Sequence, residues 1–118
     1  MGSDKIHHHH HHMEELLDIL REFRDSRGWL KYHTPKNLAV SISIEVAELL
    51  EIFQWTRSSD EEFEVLERRK GEVEEEIADV LIYLLFLCDV AEINPIEAVK
   101  RKMEKNERKY PKNRVHEF

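Results

Sequence analysis

Apolar residues recur along this chain at three- and four-residue intervals, the spacing of one helical face. Leu16, Ile19, Leu20 and Phe23 form the first such stripe, and Gly28 stands just beyond it as a stop. Residues 29–34 read as a connector that ends in a start signal, Thr34 as N-cap and Pro35 at the first helical position. A second helix is predicted over about 36–55. It is apolar around much of its girth, from Leu38 through Ile42, Val46 and Leu49 to Phe53, which makes it central. Val40, Ile42, Ile44 and Val46 alternate as a strand would, but the length of the run and its lack of turn residues favour helix.

Ser58-Ser59-Asp60 interrupts the pattern, and a short charged helix is predicted over 61–69. A third long helix runs from near Gly71 to about Ala91. Its opening turns, Glu72 to Glu76, are solvated in character, whereas Ile77 to Val90 is nearly all apolar and is expected to cross the core. Asn94-Pro95-Ile96-Glu97 combines an N-cap, a proline at N1 and a glutamate at N3, and the helix it opens is predicted to end at Tyr110, before Pro111. The fold class is therefore all-α: a four-helix bundle with a short linking helix.

Composition supports an ordered helical chain, with 36% charged residues, three glycines and three prolines. The first twelve residues are an expression tag carrying six of the eight histidines and are set aside, leaving 13–118 as a single domain with His33 and His116. A domain of that size buries a modest core, so self-association as a homodimer or homotetramer is expected. Cys88 is the sole cysteine and cannot form an internal disulfide. The net charge of −7 speaks against duplex nucleic acid as a partner. The longest uncharged apolar run, Val80 to Cys88, is far shorter than the roughly 20 residues that span a bilayer, so no membrane association is expected. No signal-like segment follows the tag, and the cytoplasm is the expected location.

Against this background four carboxylates are out of place. Glu45 and Glu48 lie three apart in the apolar second helix, and Glu76 and Asp79 repeat that spacing in the third, with Asp79 among Ile77, Val80, Leu81 and Ile82. Residues three apart project from one helical face. Burying unpaired carboxylates together costs several kcal/mol apiece, so a cation is expected to compensate, from lysine, arginine or a metal. No basic residue lies between Lys36 and Arg57 or between Lys70 and Lys100. An all-oxygen set suits Mg2+, with Mn2+ as the alternative, better than zinc. Glu72, Glu74 and Glu75 are read as solvated residues that favour the helix dipole.

Glu45-x-x-Glu48, a gap of 27 residues, then Glu76-x-x-Asp79 resembles the signature of the MazG-like, all-α nucleotide pyrophosphohydrolases. Within them the chain is most similar to the dCTP pyrophosphatase branch, through Arg27-Gly28-Trp29, His33-Thr34-Pro35-Lys36-Asn37, Phe53-Gln54-Trp55, Asp79 to Tyr83, and Lys102 to Pro111. The resemblance implies a MazG-like bundle whose Glu45, Glu48, Glu76 and Asp79 hold magnesium on the triphosphate of a pyrimidine nucleotide such as dCTP or a modified dCTP. The products implied are nucleoside monophosphate and pyrophosphate, a form of nucleotide-pool sanitation, with the cleft close to a subunit contact. Glu48 is the candidate catalytic residue that orients or deprotonates the attacking water.

Lys102 and Asn106 are implied on the phosphates. Lys109 continues their stripe and reads equally as a solvated residue, and Tyr110 is either a further phosphate contact or a helix-end packing residue. For the base the resemblance points to Trp29, His33, Asn37, Trp55 and Tyr83, rings and an amide suited to a flat heterocycle. The competing reading of the tryptophans is as core or interface anchors, while His33 reads equally as a local turn contact. Two other classes compete. A di-iron bundle needs Glu-x-x-His pairs, whereas position 30 is Leu and position 113 is Asn. A non-catalytic nucleotide sensor or oligomeric interaction module of the same fold would keep the pockets without turnover.

Overall fold

The computed structural model describes residues 2–112, with side chains from His12 onward. Among these residues all regular structure is helical: α1 (Gly2–Ser26), a 3-10 turn (Leu30–Tyr32), α2 (Pro35–Phe53), α3 (Ser59–Arg68), α4 (Lys70–Val90) and α5 (Pro95–Lys109). None of these helices is long and apolar enough to cross a membrane. The predicted elements are all present within a few residues of their expected ends. The largest difference is α1, which begins at Gly2 rather than near the first apolar stripe. Extending an existing helix fixes one residue per added hydrogen bond, so upstream growth is cheap once the stripe is helical.

The caps follow the sequence signals. Thr34 Oγ1 accepts from the Asn37 N–H at 3.4 Å, and Asn94 Oδ1 accepts from the N–H groups of Ile96 and Glu97 at 3.0 and 3.1 Å. Ser58, read from sequence only as part of a break, caps α3 by accepting from the Glu61 N–H at 3.2 Å. At the end of α1, Gly28 has φ +65°, its N–H donates to Asp25 O, and the Trp29 N–H reaches back to Arg24 O. This left-handed closure sets where Trp29 leaves the helix. Glu92 closes α4 in the same way at φ 56°, without glycine's freedom.

The central pair is α2 with α4, running antiparallel: Ile52 lies by Arg69, Glu45 by Glu76 and Asp79, and Leu38 by Leu85 and Phe86. α1 lies along the far end of α4, with Leu20 joining the Leu38, Leu85 and Phe86 cluster. An ion network fastens the two. Arg24, 4% exposed, donates to Asp89 Oδ2 at 2.6 Å, and Arg21 donates to Asp89 Oδ1 at 2.7 Å.

The core of one chain is narrower than the apolar pattern implies. Leu38 is 1% exposed, but Val40, Ile44 and Leu50 on α2, and Ile77, Leu81 and Leu84 on α4, keep 40% or more of their surface. α5 stands off, with Ile96, Val99 and Met103 open to solvent. The stretch 77–90, expected to lie in the core, is apolar on more sides than one chain covers.

Candidate active site

Successive turns of α2 and α4 place acidic groups opposite one another. Glu45 comes from α2, and Glu76 and Asp79 come from adjoining turns of α4. One carboxylate oxygen from each lies within 4.8 Å of the others, and all three residues are half-buried. Among the described residues, Glu45 Oε2 and Glu76 Oε2 are buried with no hydrogen-bond partner. Burial first, then the Glu48 carboxylate and the charge of Asp79, pushes Glu45 up to about 7 from an ordinary 4.5. Burial and the charge of Glu48 also raise Glu76. Glu48 is exposed and sits at the rim, so the four predicted carboxylates divide into three converging groups and one neighbour.

Three all-oxygen side chains with two orphaned oxygens fit a hard divalent cation, because such an ion would satisfy lone pairs and charge that no donor among the described residues meets. The sequence interval without basic residues, 71–99, has basic residues at its edge. Arg69, just outside it, pairs with Glu72 and donates to Ile52 O at 3.5 Å, joining the ends of α2 and α4. Arg69 shares a hollow with Glu48, Glu76, Glu72, Gln54 and Trp55. It was not singled out from sequence, since it lies at a helix junction rather than in a motif.

On the other side of the acidic cluster, Trp29, Tyr32, His33, Asn37, Ser41 and Tyr83 line a cavity of about 320 Å3. His33 packs against Phe86 with ring centroids 4.6 Å apart and planes tilted by 50°, and among the described residues its buried Nδ1 has no partner. Burial, then the nearby Arg24 charge, lowers its pKa and favours the neutral ring. The Asn37 amide donates to Tyr32 O at 3.1 Å, which ties the 3-10 turn to α2. Trp29 stands edge-on to Phe23 at 5.4 Å.

The predicted base-contact residues are therefore divided. Trp29, His33, Asn37 and Tyr83 share one cavity, while Trp55, 83% exposed, lies in the hollow beyond the acidic cluster. Lys102, Asn106, Lys109 and Tyr110 all belong to α5 or its end and line neither space. There Asn106 Nδ2 lies 3.9 Å from Met103 Sδ, and Lys109 Nζ is 5.4 Å from the Tyr110 ring. His116 falls outside the described residues. Tyr32 and Ser41 are cavity residues that the sequence motifs did not flag; Ser41 has the four-residue spacing from both Asn37 and Glu45 that would have found it.

The raised Glu45 pKa gives a signed prediction. A carboxyl that titrates near 7 in the fold and near 4.5 unfolded contributes stability that is complete below 4.5 and lost as pH rises through 7. Metal-free protein should melt at a higher temperature near pH 5 than near pH 8, and Glu45→Gln should flatten that slope. Asp89 works outside this window. Burial pushes it up, but its bonds and charges with Arg24 and Arg21 hold it below the ordinary carboxylate value, so its contribution is lost only at more acidic pH. Equal slopes in chelator for the parent and Glu45→Gln would contradict the prediction.

A model of the MazG-like family matches residues 40–118. The chain is similar to dCTP pyrophosphatase 1 of Bos taurus, 34% identical over 100 residues, and to dCTP pyrophosphatase 1 of Homo sapiens, 35% identical over 100 residues. Each match covers 84% of this chain and 59% of the relative, so the chain spans about three fifths of the length of those relatives.

Proposed function

The chain belongs to the MazG-like family, and from that premise we propose that it hydrolyses nucleoside triphosphates between the α- and β-phosphates to release a monophosphate and pyrophosphate. The observation that carries this reading is the convergence of Glu45, Glu76 and Asp79, with two orphaned oxygens, beside an aromatic and amide-lined cavity on the same two helices. Mg2+, or Mn2+, held by Glu45, Glu76 and Asp79 with Glu48 at the rim, would neutralise the phosphates and acidify a water. Glu48, exposed beside the cluster, orients that water or takes its proton.

Trp29, His33, Asn37 and Tyr83 enclose the base, with neutral His33 able to offer one donor and one acceptor. The name of the relatives, dCTP pyrophosphatase 1, supports dCTP as a substrate; the reading extends to a modified dCTP, cleared from the nucleotide pool of the cytoplasm. Residues 13–118 act as the single catalytic domain.

The site is completed in a homodimer or homotetramer. Three features support this: the bare apolar stripes of α2, α4 and α5, the exposed Trp55, and the α5 phosphate candidates' lining neither space beside the acidic cluster of their own chain. In the assembly Lys102 and Asn106 reach the phosphates, Lys109 and Tyr110 extend that surface, and Trp55 walls a cleft at the subunit contact. Light scattering should find a stable oligomer at micromolar concentration; a fully active monomer would contradict it. Lys102→Ala should weaken all triphosphates alike, by about tenfold for a charge-assisted bond to phosphate.

A pyrophosphate-release screen over common and modified triphosphates, with and without Mg2+, tests the function. Mg2+-dependent release, strongest for cytosine nucleotides, is expected. Tight nucleotide binding with no release from any triphosphate would leave the sensor reading instead.

A further inference from the structure

Along α2, Asn37, Ser41 and Glu45 stand on successive turns of one face, each about 6 Å further along the axis. α4 runs the opposite way beside them and repeats the order, with Tyr83 in the aromatic cavity and Asp79 in the acidic cluster one turn away. Base pocket and acidic cluster are thus two ends of one line, and Ser41 is the polar side chain between them. In a nucleotide, what lies between base and phosphates is the sugar.

Ser41 also differs from its neighbour. A serine inside a helix commonly returns its hydroxyl to a carbonyl about one turn back. Ser43 does so, donating to Val40 O at 2.7 Å. Ser41 has no hydrogen-bond partner among the described residues, is half-buried, and lines the cavity with Asn37, His33 and Tyr83. Its donor and acceptor capacity is therefore available to a bound molecule. We infer that Ser41 is a specificity-determining residue that hydrogen-bonds a hydroxyl of the nucleotide's sugar. The inference rests on the nucleotide reading of the site, and it adds the element that tells one sugar from another.

The test compares deoxycytidine, cytidine and dideoxycytidine triphosphates, each with Mg2+, on the parent and on Ser41→Ala, by calorimetric affinity and by kcat/KM. Alanine favours helix, so Ser41→Ala keeps α2 intact. Ser41→Cys, similar in volume and a weak donor, is the second variant. A neutral hydrogen bond supports about a three- to tenfold change.

If the bond is to the 3′-hydroxyl, the parent's preference for deoxy over dideoxy nucleotide should fall by that factor in Ser41→Ala, with Ser41→Cys between the two. If it is to the 2′-hydroxyl, the ribo over deoxy ratio falls instead. A general loss from disturbed packing would lower all three nucleotides together and leave both ratios where they were. Unchanged ratios in affinity and in turnover overturn the inference. A parent that binds but never releases pyrophosphate would defeat the hydrolase reading alone, because the affinity ratios still decide Ser41.

Discussion

Asp79→Asn should cut turnover by at least about a hundredfold while leaving the metal-free fold as stable as the parent or slightly more so. The change keeps size and shape and removes one negative charge from a cluster whose buried oxygens have no hydrogen-bond partner among the described residues. Metal stabilisation of phosphoryl charge amounts to several kcal/mol, and each 1.36 kcal/mol is a factor of ten. Without metal, Asp79 adds to the repulsion that raises Glu45, so its neutral amide relieves a cost. With metal the order reverses. Magnesium at about a hundred times its dissociation constant stabilises a fold that alone binds it by about 2.7 kcal/mol. The parent's melting temperature should rise accordingly, and Asp79→Asn should lose most of that rise. Melting curves and pyrophosphate release, each with and without Mg2+, measure both halves. Severe destabilisation without metal would make Asp79 a structural residue, as would retention of both the magnesium shift and near-normal turnover.

Asp89, ten residues further along α4, should behave in the opposite way. Its carboxylate accepts from Arg24 at 2.6 Å and Arg21 at 2.7 Å, and the Arg24 side chain is only 5% exposed. Removing one partner of a buried pair leaves the other's charge uncompensated, at a cost of about 3 kcal/mol. Asp25 keeps a bond to Arg24 at 2.8 Å but is itself largely solvated, so it offsets only part of that cost. Asp89→Ala should therefore lower the melting temperature by on the order of 10 °C. The folded fraction should keep its magnesium shift. A melting temperature within about 2 °C of the parent would show that the α1 to α4 network contributes little.

These two aspartates illustrate what the sequence carried. Period and capping residues determine where helices begin and end locally, so Thr34-Pro35 and Asn94-Pro95 were legible, whereas Ser58, read only as part of a break, is also a cap. The acidic cluster was legible because three-residue spacing on apolar helices leaves carboxylates no local counter-charge. Pairing across elements is another matter. Asp89 looks as isolated in α4 as Asp79 does, and its arginines come from α1, more than sixty residues away in sequence.

Sequence pattern also records that a face is apolar without saying whose surface covers it. For that reason the bare stripes of α2, α4 and α5, and the division of Trp55 from the other base-contact candidates, emerge only in three dimensions. Ser41 was hidden for a different reason. A serine in an apolar helix is ordinary until its neighbours on the adjoining turns are known to line a site.

The most direct test of the whole account is hydrolysis of deoxycytidine triphosphate in heavy-oxygen water with Mg2+, followed by mass analysis of both products. An acidic cluster that directs water to the α-phosphorus predicts deoxycytidine monophosphate carrying the label and unlabelled pyrophosphate, with turnover abolished by chelator. Label in the pyrophosphate, or products that are diphosphate and inorganic phosphate, would contradict it.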